Sequence, residues 1–321
     1  MYKNLNVLVT GASGFVAAEL INFMRKYKGI RIVPCSRTPL YMDGWISSPE
    51  LSADSDWTGL LSDIDVVVHL AGRAHILKET CVNPVGVFQD VNVAGTRKLA
   101  EDAIKCGVKR FVFVSSIGVN GASTGESFFD ENSLASPHAD YAVSKFEAEQ
   151  ELRELSSATG MELVIIRPPL VYGANAPGNF CRLLRLVERG VPLPFLNVVN
   201  RRSLISVRNL ASFIGECVAN QNAANQIFLI SDGDEVSTAD IVRLLAEGMN
   251  KSANLFPFPP VLLRYGAKIS GKPGLFDQLC GSLVIDSSKA RSLLGWVPME
   301  STSEGLRNAG IEYFKACLKR R

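Results

Sequence analysis

Val7-Leu8-Val9-Thr10-Gly11-Ala12-Ser13-Gly14-Phe15-Val16-Ala17 decides how this 321-residue chain is read. Asn6–Thr10 is a short, nearly continuous apolar run, too short for a helix and suited to a buried strand. Glycines follow at 11 and 14, and Phe15–Arg25 then repeats apolar residues at helical spacing, with Ala18, Ile21 and Met24 on one face. Strand, glycine turn and helix in that order form the context that a dinucleotide fingerprint requires. Glycine permits the tight turn and lets backbone approach a pyrophosphate, which rests on the helix N-terminus. A glycine turn of no further purpose is the plain alternative; the preceding buried strand argues against it. Cofactor contacts are expected from Gly11, Ser13, Gly14, Phe15 and Val16.

The same alternation continues outward. Ile30–Cys35, Asp65–Leu70, Phe111–Ser115 and Leu163–Arg167 read as further strands, and Val85–Cys106 and Tyr141–Ala158 as helices. Apolar strands separated by helices imply an α/β fold, a doubly wound parallel (Rossmann) sheet covered on both faces. After Gly173 the texture changes. Phe180–Arg189 is a basic helix, Val191–Asn200 a loop, Ile227–Ser231 one more strand and Thr238–Met249 a helix. Phe256–Pro260 and Gly271–Gly274 punctuate an irregular stretch. The expected division is a dinucleotide-binding domain at 1–173, re-entered at about 203–231, and a smaller C-terminal substrate domain from 174–202 and 232–321.

Apolar residues make up 47% and charged ones 21%, ordinary for a soluble globular protein. With 34 Lys and Arg against 32 Asp and Glu, the net charge of +2 is too balanced to imply nucleic acid or an anionic membrane as partner, although a local basic patch stays open. No apolar run approaches the ~20 residues a bilayer needs, so no membrane insertion is expected. Val7–Thr10 already reads as a strand, so no signal peptide is expected and the protein should be cytoplasmic. Seven cysteines without a C-x-x-C pair, and three scattered histidines, give no expected metal site. The cysteines should be reduced packing residues.

Two groups carry chemistry. The second strand ends Cys35-Ser36-Arg37, without the carboxylate that usually accepts the ribose hydroxyls of NAD. A hydroxyl and a guanidinium suit a 2′-phosphate, so NADP(H) is expected to be favoured over NAD(H); an exposed loop arginine is the plain alternative. Tyr141-x-x-x-Lys145, the one such pair in the chain, sets both side chains on one helical face. An ammonium beside a phenol favours phenolate and makes tyrosine a usable proton donor and acceptor. Ser116 follows a strand on the same carboxyl edge as the glycine loop, where open α/β sheets bind ligands.

Taken together, these stretches resemble the extended short-chain dehydrogenase/reductases of the nucleotide-sugar epimerase/dehydratase type, over essentially the whole length. The resemblance rests on Thr10–Phe15, His69–Gly72, Asn92–Thr96, Phe111–Ser116, Tyr141–Lys145 and Arg167–Gly173. It implies that Ser116, Tyr141 and Lys145 are catalytic and that Leu70, Ala71, Gly72, Lys145 and Pro168 line the dinucleotide. Asn179 and Arg202 would hold a substrate diphosphate, with Ser116 at the sugar. A UDP-sugar substrate and a homodimer are implied partners, the dimer pairing Val85–Cys106 and Tyr141–Ala158; apolar positions such as Val91, Leu99 and Ala103 suit that contact or could equally face the protomer's own sheet. Gly178–Leu184, Asn200–Ile205, Ile230–Gly233 and Gly281–Lys289 look most similar to the branch of UDP-N-acetylquinovosamine-forming 4-ketoreductases. The expected reaction is thus NAD(P)H-dependent reduction of the 4-keto group of a UDP-linked deoxysugar, in the synthesis of surface-polysaccharide (O-antigen) precursors. A redox-neutral 4-epimerase is the alternative, and a non-catalytic dinucleotide sensor a remote one. His69 reads as a core histidine, Asn92 as either a water-ordering or a structural residue, and Arg182, Arg185 and Arg189 as a solvated face.

Overall fold

Consecutive side chains of the first strand point to opposite sides, and both sides are buried. Val7 and Val9 join one apolar cluster and Leu8 another, as a central strand covered on both faces requires. The computed structural model describes residues 4–38, 44–73, 84–269 and 273–319. In chain order, β1 (Leu5–Thr10) leads into α1 (Phe15–Met24), β2 (Ile30–Ser36), the short β3 (Ile46–Ser47), α2 (Thr58–Leu61) and β4 (Val66–His69). Helix α3 (Pro84–Phe88) and α4 (Gly95–Lys105) are joined by a π-helical segment at Gln89–Ala94. Then come β5 (Arg110–Val114), a 3-10 turn at Ile117–Val119, α5 (Asp140–Thr159), β6 (Glu162–Arg167), β7 (Leu170–Tyr172) and α6 (Gly178–Glu188). The remainder comprises β8 (Arg202–Ser206), α7 (Val207–Ala219), β9 (Gln226–Leu229), β10 (Glu235–Val236) and α8 (Thr238–Gly248). It closes with α9 (Pro260–Ile269), α10 (Pro273–Cys280), α11 (Ser288–Leu294) and α12 (Thr302–Leu318).

Seven parallel strands in the order β3-β2-β1-β4-β5-β6-β9 make the doubly wound sheet. α1 and α7 cover one face; α2, α4 and α5 cover the other. The strand order reverses between β1 and β4, which opens a crevice at their carboxyl ends. A second sheet, β10-β8-β7, belongs to a third core that includes Tyr172, Phe180, Leu204, Leu245 and Leu306. There α8 and α12 cross with almost no gap. A Cβ on Gly248 would stand 2.1 Å from the Arg307 carbonyl oxygen, and one on Gly310 2.5 Å from that of Leu245. No helix among the described residues is long and apolar enough to cross a membrane.

Several expectations need adjustment. The inward face of α1 is Ala17, Leu20, Ile21 and Met24, with Ala18 exposed. The stretch read as irregular folds into α9 and α10, although Gly271 lies outside the described residues, as does Cys81. Leu99 and Ala103 are fully buried against the chain's own sheet, so they are not available to a dimer contact.

Beneath the carboxyl ends of β5 and β6 lies a buried ion pair. Arg167 Nε and Nη2 donate to Glu149 at 3.0 and 2.5 Å, and Arg167 Nη1 donates to Asn120 Oδ1 at 3.0 Å. The Ser115 hydroxyl donates at 2.5 Å to Glu149 Oε1, the oxygen that also accepts Arg167 Nε. Both charged side chains are at most 4% exposed. Removing one partner strands the other in a medium that cannot solvate it. Glu149→Ala should therefore lower the unfolding free energy by about 3–5 kcal/mol in urea titration. A loss below ~1 kcal/mol would mean that water reaches Arg167.

Candidate active site

The glycine turn is fixed by how closely two backbones approach. Gly11 has φ +66°, and a Cβ there would stand 2.7 Å from the Ala71 nitrogen. Thr10 ties the same two loops together, its Oγ1 accepting the amide N–H of Leu70 and of Ala71, both at 3.2 Å. With both lone pairs so used, the Thr10 hydroxyl donates its hydrogen to His69 Nδ1 at 2.8 Å. His69 Nε2 then carries the ring proton and donates to Thr96 Oγ1 at 3.0 Å. Burial pushes the imidazole down to about 3, so this fully enclosed ring is neutral. His69 is the core histidine that the sequence suggested.

Gly14 caps α1 without a side-chain hydrogen bond, and the first turn carries no acidic residue. The first helical bond is Ala18 N–H to Gly14 O, which leaves the amides of Phe15, Val16 and Ala17 without helical acceptors. Those amides, the dipole behind them and the missing Cβ atoms at 11 and 14 fit a pyrophosphate. A cavity of about 290 Å³ continues from this turn along the ends of β4, β5 and β6. Of the expected cofactor residues, Gly11, Gly14, Phe15 and Val16 line it from one side, and Leu70, Gly72, Lys145 and Pro168 from the other. Ala71 touches Gly11 just behind the wall, whereas Ser13 lines a neighbouring hollow between α1 and α12. The residues present fit a dinucleotide.

Ser116, Tyr141 and Lys145 line the same cavity. Ser116 leaves β5 in extended conformation, and its Oγ accepts the Gly118 N–H at 3.1 Å, so the hydroxyl hydrogen remains to be donated. Tyr141 lies in the first turn of α5, edge-on to Phe88 at 6.3 Å. Lys145 Nζ donates to the Val114 carbonyl at 3.1 Å, sits 4.5 Å from the Phe113 ring centroid and 6.0 Å from that of Tyr141. Burial pushes the phenol up to about 12 and the ammonium down to about 8, the latter opposed by the Glu149 charge. The expected lowering of the phenol by Lys145 is thus outweighed in the chain by itself, because desolvation acts on both groups and the ammonium stands back from the ring.

The remaining expected residues lie outside that cavity. Ser36 donates its only hydroxyl hydrogen to Thr38 O at 2.8 Å, and Arg37 is largely exposed with Glu50 at 3.7 Å. The 2′-phosphate clamp therefore has a spent donor and a guanidinium already facing a carboxylate. Asn179, in the first turn of α6, donates to Gln278 Oε1 at 2.9 Å. Arg202 donates to the Gly281 carbonyl at 2.8 Å, burial lowers its pKa, and it has no carboxylate partner among the described residues. Both residues thus meet α10 and the turn that follows it, away from Ser116.

The profile of the NAD dependent epimerase/dehydratase family matches residues 7–231. The chain belongs to this family. As a member it is an enzyme that uses a nicotinamide dinucleotide and acts on nucleotide sugars. It is 39% identical over 316 residues to a UDP-glucose 4-epimerase of Vibrio cholerae, covering 97% of this chain and 96% of that relative. It is 28% identical to an Escherichia coli O157:H7 N-acetyl-α-D-glucosaminyl-diphospho-ditrans,octacis-undecaprenol 4-epimerase, over 94% and 93% of the two chains. The structure of a Bacillus cereus UDP-glucuronic acid 4-epimerase in complex with NAD superposes with a TM-score of 0.78 at 23% identity, over 99% of this chain and 98% of that one. These relatives overturn the expected 4-ketoreductase: similarity over nearly the full length points to 4-epimerases. The branch assignment rested on short stretches around the substrate, which a reductase and an epimerase of one family share.

Sequence reading passed over Thr10 and Glu149 as organisers of this family member's site and left two roles open for Asn92. Thr10 was read as part of the turn and not as the clasp of the Leu70–Ala71 loop. Asn92 lies in the π-helical segment, where its Oδ1 accepts the Arg73 N–H at 2.7 Å and its Nδ2 donates to Ser144 Oγ at 3.0 Å. Glu149 was signalled only by its place four residues after Lys145. Gly11→Ala should reduce dinucleotide affinity at least about tenfold in calorimetric titration, since a left-handed alanine costs ~1–2 kcal/mol before the clash with Ala71 is counted. Unchanged affinity would show that the Leu70–Ala71 loop yields without cost.

Proposed function

We propose that the protein is a UDP-sugar 4-epimerase working with a retained NAD(H). The observation that carries this reading is the 39% identity to a UDP-glucose 4-epimerase along 97% of the chain, joined to a Ser116, Tyr141 and Lys145 set on one cavity wall. When bound, the dinucleotide accepts a hydride from sugar C4 and returns it. Tyr141, as phenolate beside the Lys145 ammonium, takes the C4 hydroxyl proton to become the phenol and gives that proton back once the keto sugar has turned its other face. Ser116 donates its remaining hydrogen to the C4 oxygen and orients it. Lys145 keeps two N–H groups for the nicotinamide ribose, and its charge offsets the burial that holds the phenol protonated. Arg202 and Asn179 are assigned to the diphosphate, so binding energy remote from C4 holds the sugar in place.

NAD suits this reading better than NADP. An epimerase regains its hydride each cycle and has no need of an exchangeable cofactor. Arg37, the guanidinium that a 2′-phosphate would need, is exposed and already faces Glu50 at 3.7 Å. Residues 1–173 with the return at 203–231 form the dinucleotide unit in this proposal, and 174–202 with 232–321 the sugar unit. A homodimer through α4 and α5 rests on family likeness together with half-buried Val91. Light scattering should give about twice 34.9 kDa, and a single-chain mass would remove that assignment.

Given UDP-glucose or UDP-N-acetylglucosamine and no added dinucleotide, the enzyme should bring one of them to a constant ratio with its 4-epimer. Mass spectrometry should find NAD(H) released on denaturation. Consumption of one added NADH or NADPH per sugar would defeat the proposal. Tyr141→Phe should keep the dinucleotide and lose ~10²–10⁴-fold in kcat.

A further inference from the structure

Four large side chains of α9 face away from the protein: Val261, Leu262, Tyr265 and Ile269 are 63%, 53%, 62% and 87% exposed. With 3.6 residues per turn these four fall within an arc of about 100°. Leu263 points the other way and packs on the third core. This helix is amphipathic in the inverted sense, with its apolar stripe outside and none of its residues fully buried. Arg264 and Lys268, one turn apart along the edge of the stripe, are exposed and form no ion pair among the described residues. Just before the helix, Phe256 is 38% exposed and stands edge-on to Phe258 at 6.3 Å. Leu196, 40% exposed, donates its amide N–H to the Phe256 carbonyl at 3.3 Å and extends the apolar surface.

Charge says what could cover it. Helix α9 carries Arg264 and Lys268 and no Asp or Glu, so it accounts for +2 and the rest of the protein sums to zero; Lys251, before the helix, is paired with Glu188 at 3.9 Å. The balanced total hides a segregated positive segment. A second copy of the chain is a poor occupant. A two-fold contact through α9 would bring two copies of the same face together, each edged by Arg264 and Lys268, with no carboxylate on the helix to offset them. Ten residues of helix span about 15 Å, half the hydrocarbon thickness of a bilayer, so α9 cannot cross one but can lie along it. An apolar stripe edged by Arg and Lys is the form that settles into the headgroup layer of an anionic bilayer.

We propose that α9, with Phe256 and Leu196 at its start, is a peripheral docking surface for anionic membranes. α10 packs against α9 and holds Asn179 through Gln278, so docking would set the diphosphate end of the sugar cleft beside the lipid surface.

The test is co-sedimentation of the full-length protein with phosphatidylglycerol vesicles against phosphatidylcholine vesicles. Binding is expected to the first, with little to the second and weakening in salt. Arg264→Gln with Lys268→Gln should weaken it about thirtyfold. Val261→Ser, Tyr265→Ser and Ile269→Ser together should abolish it. All five positions are exposed, and an unchanged melting temperature with unchanged epimerisation of soluble UDP-sugar would show that the fold and the active site are intact. Absence of binding to phosphatidylglycerol, or equal binding by the variants, would overturn the proposal. So would dissociation of an oligomer by the triple serine variant without any vesicle binding, which would give the face to a second copy.

Discussion

The reactive end of this molecule depends on a carboxylate that water does not reach. Glu149 joins α5 to β6 through Arg167 and to the end of β5 through Ser115, while Asn120 closes the far side of the guanidinium. Three elements that differ widely in sequence position are thereby held in one register. Ser116 is the next residue after Ser115, and Lys145 is one helical turn before Glu149. The spacing between the Ser116 hydroxyl and the Lys145 ammonium depends on this cluster. An apolar replacement could fill the same volume, but it would not fix the directions of three polar partners.

The sheet was readable because its strands are buried on both faces. Continuous apolar runs such as Val66–Val68 and Phe111–Val114 have no other soluble explanation at that length. The glycine turn was readable because geometry there admits one residue type at position 11. The C-terminal half was harder. Helices α8 and α12 both begin with capping boxes, Ser237 with Asp240 and Ser301 with Glu304, and neither signature was read, although a helix was expected at Thr238–Met249. Helix α9 was missed for a different reason: flanking prolines and a glycine imply a loop, and a stripe that faces outward does not mark a core.

The site divides along similar lines. Ser116, Tyr141 and Lys145 stood out because proton transfer restricts residue type and spacing, and the fold brings all three to one cavity. The direction of the chemistry was not legible. Reduction of a 4-keto sugar and epimerisation at C4 ask the same proton donor and the same hydride path of the protein, and differ in whether the cofactor leaves between turnovers. That difference resides in the affinity at the far end of the dinucleotide, where Ser36 and Arg37 invited a phosphate. Folding then turned Ser36 toward Thr38 and brought Glu50 to Arg37, contacts between residues that no local motif connects.

His69 has one more consequence. Its ring receives a hydrogen bond from Thr10 and gives one to Thr96, so the donors and acceptors along this chain all run in one sense. Reversing that polarity would require Thr10 to release the Leu70 and Ala71 amides that it accepts. With its pKa near 3, the imidazole gains no proton at any pH a cell reaches. The hydrogen-bond link from Thr96 through His69 to Thr10, which clasps the Leu70–Ala71 loop beside the glycine turn, thereby keeps one polarity from pH 5 to pH 8. Burial shifts two titratable groups of the cavity, Tyr141 and Lys145, in opposite directions.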